Sequence, residues 1–195
     1  MSVTVEKCLQ AWTNSLRQMN AKADFVFFGD SLTYYGDFAS VFPDKVVCNL
    51  GLRGDTIQGM IDRVEQVKML EPKQVFLMAG INDVAICSVE CYAKQYEILV
   101  QKLKEHLPNA LIIIQSLLPV NDKDFKISCN NQQIVAYNEA ISRVSYNYRV
   151  PYIDLFTEYA NSGILEKNMT IDGIHLKPSY YQKWINCIIK KEFNK

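Results

Sequence analysis

Apolar positions along the chain fall into two alternating textures. Short unbroken runs occupy Phe25–Phe28, Val46–Asn49, Val75–Met78, Leu111–Gln115 and Tyr152–Leu155, each followed by a polar turn. None alternates apolar with polar, which predicts strands covered on both faces. Between them apolar residues recur at helical spacing: Ile57, Met60, Ile61, Val64 and Val67 on one stripe, Tyr92, Tyr96, Leu99, Val100, Leu103 and Leu107 on another. Further helices are predicted over Val5–Met19, Ile134–Tyr148 and Tyr180–Phe193, the last opened by Pro178. Alternating β and α elements imply an α/β fold with a mostly parallel five-stranded sheet, and residues 1–195 read as a single domain.

In such sheets ligands bind outside the carboxyl ends of the strands. The predicted strands deliver Gly29-Asp30-Ser31-Leu32, then Asn49-Leu50-Gly51-Leu52-Arg53-Gly54-Asp55-Thr56, then Gly80-Ile81-Asn82-Asp83, then Ser116 to Asn121. Asp172-Gly173-Ile174-His175 precedes the last helix. All five segments are expected along one edge.

Composition narrows the partners. Lys plus Arg and Asp plus Glu balance at 21 each, so there is no basic footprint for nucleic acid and no polybasic arm for a membrane surface. No run approaches membrane-spanning length, and the N-terminal stretch lacks the apolar core of a signal peptide. The expected location is cytoplasmic, without integral membrane association; nothing in the sequence bears on oligomeric state. The six cysteines form no zinc-type cluster with histidine and read as free, mostly buried thiols, with Cys87 and Cys91 in the core, although an even count leaves a bridge open.

The edge segments carry the residue types that acyl transfer requires. A serine hydroxyl becomes nucleophilic when an adjacent base takes its proton, and histidine is the usual base near neutral pH. The imidazole needs an acceptor on its far nitrogen, and the developing oxyanion needs fixed donors. The chain has two histidines. His106 lies near a predicted helix end, where it suits the dipole. That leaves His175 as the base of any Ser–His mechanism.

With these blocks in view, the chain resembles the SGNH hydrolases, the GDSL-type esterases and lipases. Gly29-Asp30-Ser31-Leu32, Asn49-Leu50-Gly51, Gly80-Ile81-Asn82-Asp83 and Asp172-Gly173-Ile174-His175 match that family's four blocks in order. The resemblance implies a flavodoxin-like three-layer α/β/α sandwich with Ser31 as nucleophile, His175 as base and Asp172 orienting it. It implies an oxyanion hole of the Ser31 and Gly51 N–H groups and the Asn82 amide, with no metal or organic cofactor. Arg53 and Asp55 resemble the polar continuation seen in small members related to platelet-activating-factor acetylhydrolases and sugar O-acetylesterases. The implied activity is hydrolysis of a small-molecule ester through an acyl-enzyme, with short acyl groups on an O-acetylated carbohydrate preferred. Lipid esters of the lysophospholipid or platelet-activating-factor type are the alternative. A non-catalytic flavodoxin-like binding module is the rival from another class, but no G-x-G-x-x-G or Walker loop follows the first strand.

Several residues have a second reading. Asp172 could cap a turn and leave a Ser–His dyad. Arg53 is equally a structural partner for Asp55 or Asp83. Tyr34 and Tyr35 either line the substrate pocket or pack. Asp30 is expected to hold the nucleophile turn through local backbone hydrogen bonds. The turn differs from the G-x-S-x-G elbow, because Thr33 stands where the second glycine would be.

Overall fold

The five apolar runs become five parallel strands, and the segments between them supply the crossovers. The computed structural model describes residues 22–193, so the helix predicted over Val5–Met19 lies outside the described residues. In chain order come β1 (Phe25–Gly29), α1 (Ser31–Tyr34), β2 (Val47–Gly51), α2 (Ile57–Asp62), α3 (Val64–Met69) and β3 (Gln74–Met78). They are followed by α4 (Val89–His106), β4 (Leu111–Gln115), α5 (Asn131–Tyr148), β5 (Tyr152–Ile153) and α6 (Leu155–Tyr159). A hairpin of β6 (Ala160–Asn161) and β7 (Ile164–Leu165) leads to α7 (Tyr181–Phe193). The sheet order is β2-β1-β3-β4-β5 with every pair parallel. This is the flavodoxin-like order within a three-layer α/β/α fold, and it reverses between β1 and β3, where such folds open a ligand crevice.

Both sheet faces are covered, which is why the strands read as continuous apolar runs. On one face Phe27 of β1 stacks on Phe38 at 3.8 Å and on Phe76 at 4.8 Å, and Phe38 meets Trp184 of α7 edge-on. The Trp184 indole N–H donates to Gln115 Oε1, so the polar edge of this buried ring is satisfied. On the other face the Arg63 guanidinium lies 4.4 Å from the Phe28 ring centroid.

Three expectations change. The stripe from Ile57 to Val67 is two short helices, broken at Arg63 (φ −114°, ψ 16°), which closes α2 and opens α3. Leu155 begins α6 instead of ending a strand, because Asp154 caps that helix by accepting from the Thr157 N–H. Cys91 is exposed and does not belong to the core. Helix α4 starts only after Ser88, so Cys87 precedes it, and Tyr92 takes the inward position beside Cys91. The five described cysteines are free. Among the described residues no helix is long and apolar enough to cross a membrane.

Candidate active site

Ser31 opens α1 immediately beyond β1. The Asp30 side chain caps that helix by accepting from the Leu32 N–H at 2.9 Å. Gly29 is required here, since a Cβ on it would sit 2.1 Å from Thr33 Oγ1 and 2.6 Å from the Met78 carbonyl oxygen. The strand therefore turns directly into the helix and lifts Ser31 to the crevice, where it is 6% exposed.

The segment before α7 folds into a braced loop. Gly173 takes φ +96°, its N–H donates to Thr170 Oγ1, and the Thr170 hydroxyl donates to the His175 carbonyl. The Asn121 N–H, beyond β4, holds the Gly173 carbonyl at 2.8 Å. Within this loop Asp172 Oδ1 accepts from the Ile174 and His175 N–H groups at 3.0 and 2.9 Å. Its other oxygen lies 2.7 Å from His175 Nδ1, and His175 Nε2 lies 2.8 Å from Ser31 Oγ. Asp172 thus both caps its turn and faces the imidazole. Burial works against its charge, but the hydrogen bonds from the His175 N–H and ring and from Ile174 outweigh it and hold the carboxyl below its ordinary value.

Two further strand ends carry the remaining predicted donors. Asn82 follows β3, and its Nδ2 donates to the Asp55 carbonyl at 2.8 Å, a bond that uses one of its two amide hydrogens. Gly51 ends β2, packed so closely on α1 that a Cβ would sit 2.2 Å from Tyr34 N. The Gly51 N–H donates to Asn49 Oδ1 at 2.8 Å, so a substrate oxygen would have to share it. Asn49 Nδ2 in turn holds the Thr33 and Gly36 carbonyls at the end of α1. Ser31, as the first residue of a helix, offers a backbone N–H with no intrahelical acceptor.

Tyr34 and Tyr35 are both about half exposed and stand edge-on to each other. Tyr35 is also edge-on to His175, with centroids 5.6 Å apart. Arg53 is exposed, and its guanidinium lies 5.8 Å over the Tyr35 ring. The ion pair considered for Arg53 goes elsewhere: Asp55 pairs with Arg63 at 2.7 Å, and Asp83 accepts from the Ile57 N–H at the start of α2.

Beneath the serine lies a layer that the sequence reading missed. Asp30, Asp55 and Asp83 are buried there around one buried cation, Arg63. Arg63 Nε donates to Asp55 Oδ2, Nη1 to the Leu50 carbonyl at 2.9 Å, and Nη2 to the Gly29 carbonyl at 3.0 Å. Burial pushes Asp30 up to about 7, reinforced by Asp55 and Asp83 and opposed by the Leu32 N–H and Arg63. Burial likewise pushes Asp83 up to about 6 against the Ile57 N–H, and it raises Asp55 against Arg63. A signal for Arg63 was available: a charged residue sits inside the apolar stripe between Ile61 and Val64.

All five predicted edge segments are thus joined by hydrogen bonds. A hydroxyl in contact with an imidazole, itself in contact with a carboxylate, can lose its proton as it attacks an electrophile. Any amide donor placed beside it can receive the charge that develops.

Comparison with known proteins follows the same lines. The model of the GDSL-like Lipase/Acylhydrolase family matches residues 27–183. A GDSL-like lipase from Bacteroides thetaiotaomicron superposes with a TM-score of 0.77 at 19% identity, covering 94% of this chain and 96% of that one. A protein from Streptococcus pneumonia, provisionally assigned as a platelet activating factor, gives a TM-score of 0.80 at 23% identity, covering 98% and 99%. The acetyl xylan esterase AlAXEase gives 0.73 at 20%, covering 87% and 99%. At these identities the likeness is one of fold. Among curated proteins, the N-acylneuraminate cytidylyltransferase of Streptococcus agalactiae is 24% identical over 178 residues, covering 87% of this chain and 40% of that protein. The chain therefore spans less than half the length of that relative.

Proposed function

We propose how a chain that belongs to the GDSL-like lipase/acylhydrolase family, and is a carboxylic ester hydrolase, performs its reaction: as a serine esterase through an acyl-enzyme on Ser31. The observation that carries the reading is the continuous relay from Ser31 Oγ through His175 to Asp172, at 2.8 and 2.7 Å. Ser31 Oγ attacks the ester carbonyl carbon while its proton passes to His175 Nε2. The carbonyl oxygen becomes an oxyanion that accepts from the Ser31 N–H, the Gly51 N–H and the second amide hydrogen of Asn82. The intermediate collapses, the C–O bond to the alcohol breaks, and His175 returns the proton to the departing oxygen. A water molecule, deprotonated by His175, then attacks the acyl carbon; the bond to Ser31 Oγ breaks, His175 returns the proton to that oxygen, and the acid leaves. Asp172 fixes the imidazole tautomer and stabilises its cationic form throughout.

The substrate class we favour is a short acyl ester, acetyl above all, on a carbohydrate. Ser31 is 6% exposed, and a compact acyl group asks for the least room beside so buried a hydroxyl. Two proteins similar to this chain carry sugar chemistry in their names, the acetyl xylan esterase and the N-acylneuraminate cytidylyltransferase. Tyr35, beside His175, and Arg53, over the Tyr35 ring, are the groups we assign to the alcohol portion. A lipid ester is the second reading. The exposed Tyr35, edge-on to His175, and Tyr34 beside it would offer apolar contact to a chain, and the Streptococcus pneumonia protein is named for a lipid mediator.

Hydrolysis of p-nitrophenyl acetate, butyrate and octanoate by wild type and Ser31→Ala tests both parts. The alanine protein should lose at least about 10³-fold in kcat, and the wild type should decline steeply from acetate to octanoate. Full activity of Ser31→Ala would end the mechanism. A rise towards octanoate would transfer the assignment to lipids.

A further inference from the structure

We infer that Arg63 is a positioning residue for the oxyanion donors: from beneath the sheet it holds, in one rigid fork, the backbone that aims each of them. The inference rests on the oxyanion reading of Ser31, Gly51 and Asn82 given above. Arg63 is almost fully buried, and its guanidinium makes three short bonds, to Gly29 at the end of β1 and to Leu50 and Asp55 at and beyond the end of β2.

Each bond lands next to a proposed donor. The Leu50 carbonyl, 2.9 Å from Nη1, and the Gly51 N–H are opposite ends of one planar peptide group. Fixing the oxygen fixes the direction of that N–H. Drawing electron density towards the oxygen also makes the N–H a stronger donor, as in any hydrogen-bonded chain. The Gly29 carbonyl, 3.0 Å from Nη2, ends β1 just before Asp30 and Ser31. Asp55, held at 2.7 Å by Nε, presents its main-chain carbonyl to Asn82 Nδ2. Asp55 is approached closely because Gly59 of α2 has no Cβ; one would lie 2.0 Å from Asp55 Oδ1.

Packing alone does not ask for this residue. A guanidinium in this layer carries a large desolvation cost, and an apolar side chain of similar volume usually serves stability as well or better. Only a planar group with several fixed donors can address two carbonyls and a carboxylate at once, and lysine lacks that geometry. The break between α2 and α3 at Arg63 accompanies the inward turn of this side chain.

The test compares Arg63→Lys, Arg63→Met and Asn82→Ala, singly and with Arg63→Lys and Asn82→Ala combined, on p-nitrophenyl acetate. Assays are run well below each variant's melting temperature, with circular dichroism as the check on folding. Asn82→Ala should lower kcat by about 10²–10³-fold. The Arg63 variants should lower kcat by roughly 10–100-fold, the scale of a misplaced reacting geometry, with KM changed less than about threefold. Binding of a boronic acid, which forms a tetrahedral adduct on the serine oxygen, should weaken by a similar factor. The double variant should lose clearly less than the product of the two single losses. Should the Arg63 variants not fold, Asp55→Asn, which loosens the Nε contact and keeps the main chain, should lower kcat in the same direction. Folded Arg63 variants with kcat and boronate binding within twofold of wild type would overturn the inference, as would a fully multiplicative double variant. An unaffected Asn82→Ala would instead remove the oxyanion reading itself.

Discussion

Replacing Asp30 by asparagine measures how far its surroundings hold the carboxyl beneath Ser31 protonated. Asp30 is fully buried; Oδ1 accepts from the Leu32 N–H, and Oδ2 meets no hydrogen-bond partner among the described residues. Burial, with Asp55 and Asp83 nearby, moves it from 3.8 to about 7. Between those values the native chain holds a proton that the unfolded chain has released, so this group makes stability fall as pH rises, with no further loss well above pH 7. About three pH units at roughly 1.4 kcal/mol each give a cost on the order of 4 kcal/mol at alkaline pH. Asparagine keeps the Oδ1 acceptor and cannot ionise. Asp30→Asn should therefore match wild type to within about 1 kcal/mol at pH 4 and exceed it by a few kcal/mol at pH 8. Urea unfolding at fixed ionic strength, at unit steps from pH 4 to pH 8, reads the difference directly. Asp83, pushed up to about 6, should leave a residual slope in the variant that flattens above that pH. Parallel wild-type and variant curves across the range would refute the reasoning, because they would mean that Asp30 ionises equally in both states.

Two other outcomes follow from the geometry. Asp172→Asn should keep the fold and lower kcat by about 10²–10⁴-fold, read with p-nitrophenyl acetate; near-normal turnover would reduce the relay to Ser31 and His175. Gly80→Ala should destabilise by about 2–5 kcal/mol, since Gly80 takes φ +126° and a Cβ there would sit 2.4 Å from the Tyr92 ring. An unchanged melting temperature would contradict that packing.

Much of the architecture was readable because strand burial and helix stripes are local signals. Leu111–Gln115 appears in the structure with the bounds that its apolar run predicts. The break at Arg63 was not readable, because its cause is three acceptors that lie 8, 13 and 34 residues away. The β6–β7 hairpin did carry a local sign, Asn161-Ser162-Gly163, with Gly163 at φ +84°, but its two-residue strands are too short to leave a period. At the site, motif spacing located Ser31, Asn82 and His175, since each block follows a strand or precedes a helix. The acidic layer stayed hidden. Whether Asp30 is an ordinary turn aspartate or a protonated acid depends on what the fold stacks over it, and nothing in Gly29-Asp30-Ser31 records that.

The Ser31 hydroxyl and the His175 ring are 144 positions apart, and this separation bears on how the chain is made. A ribosome presents Ser31 early and His175 late, so on the proposed mechanism a nascent chain short of residue 175 would carry a serine without its base. On that reading hydrolysis would wait for the loop around His175 to dock beyond β4, where the Asn121 N–H holds the Gly173 carbonyl. On the proposed mechanism, activity would therefore report that these two distant segments have come together in the fold.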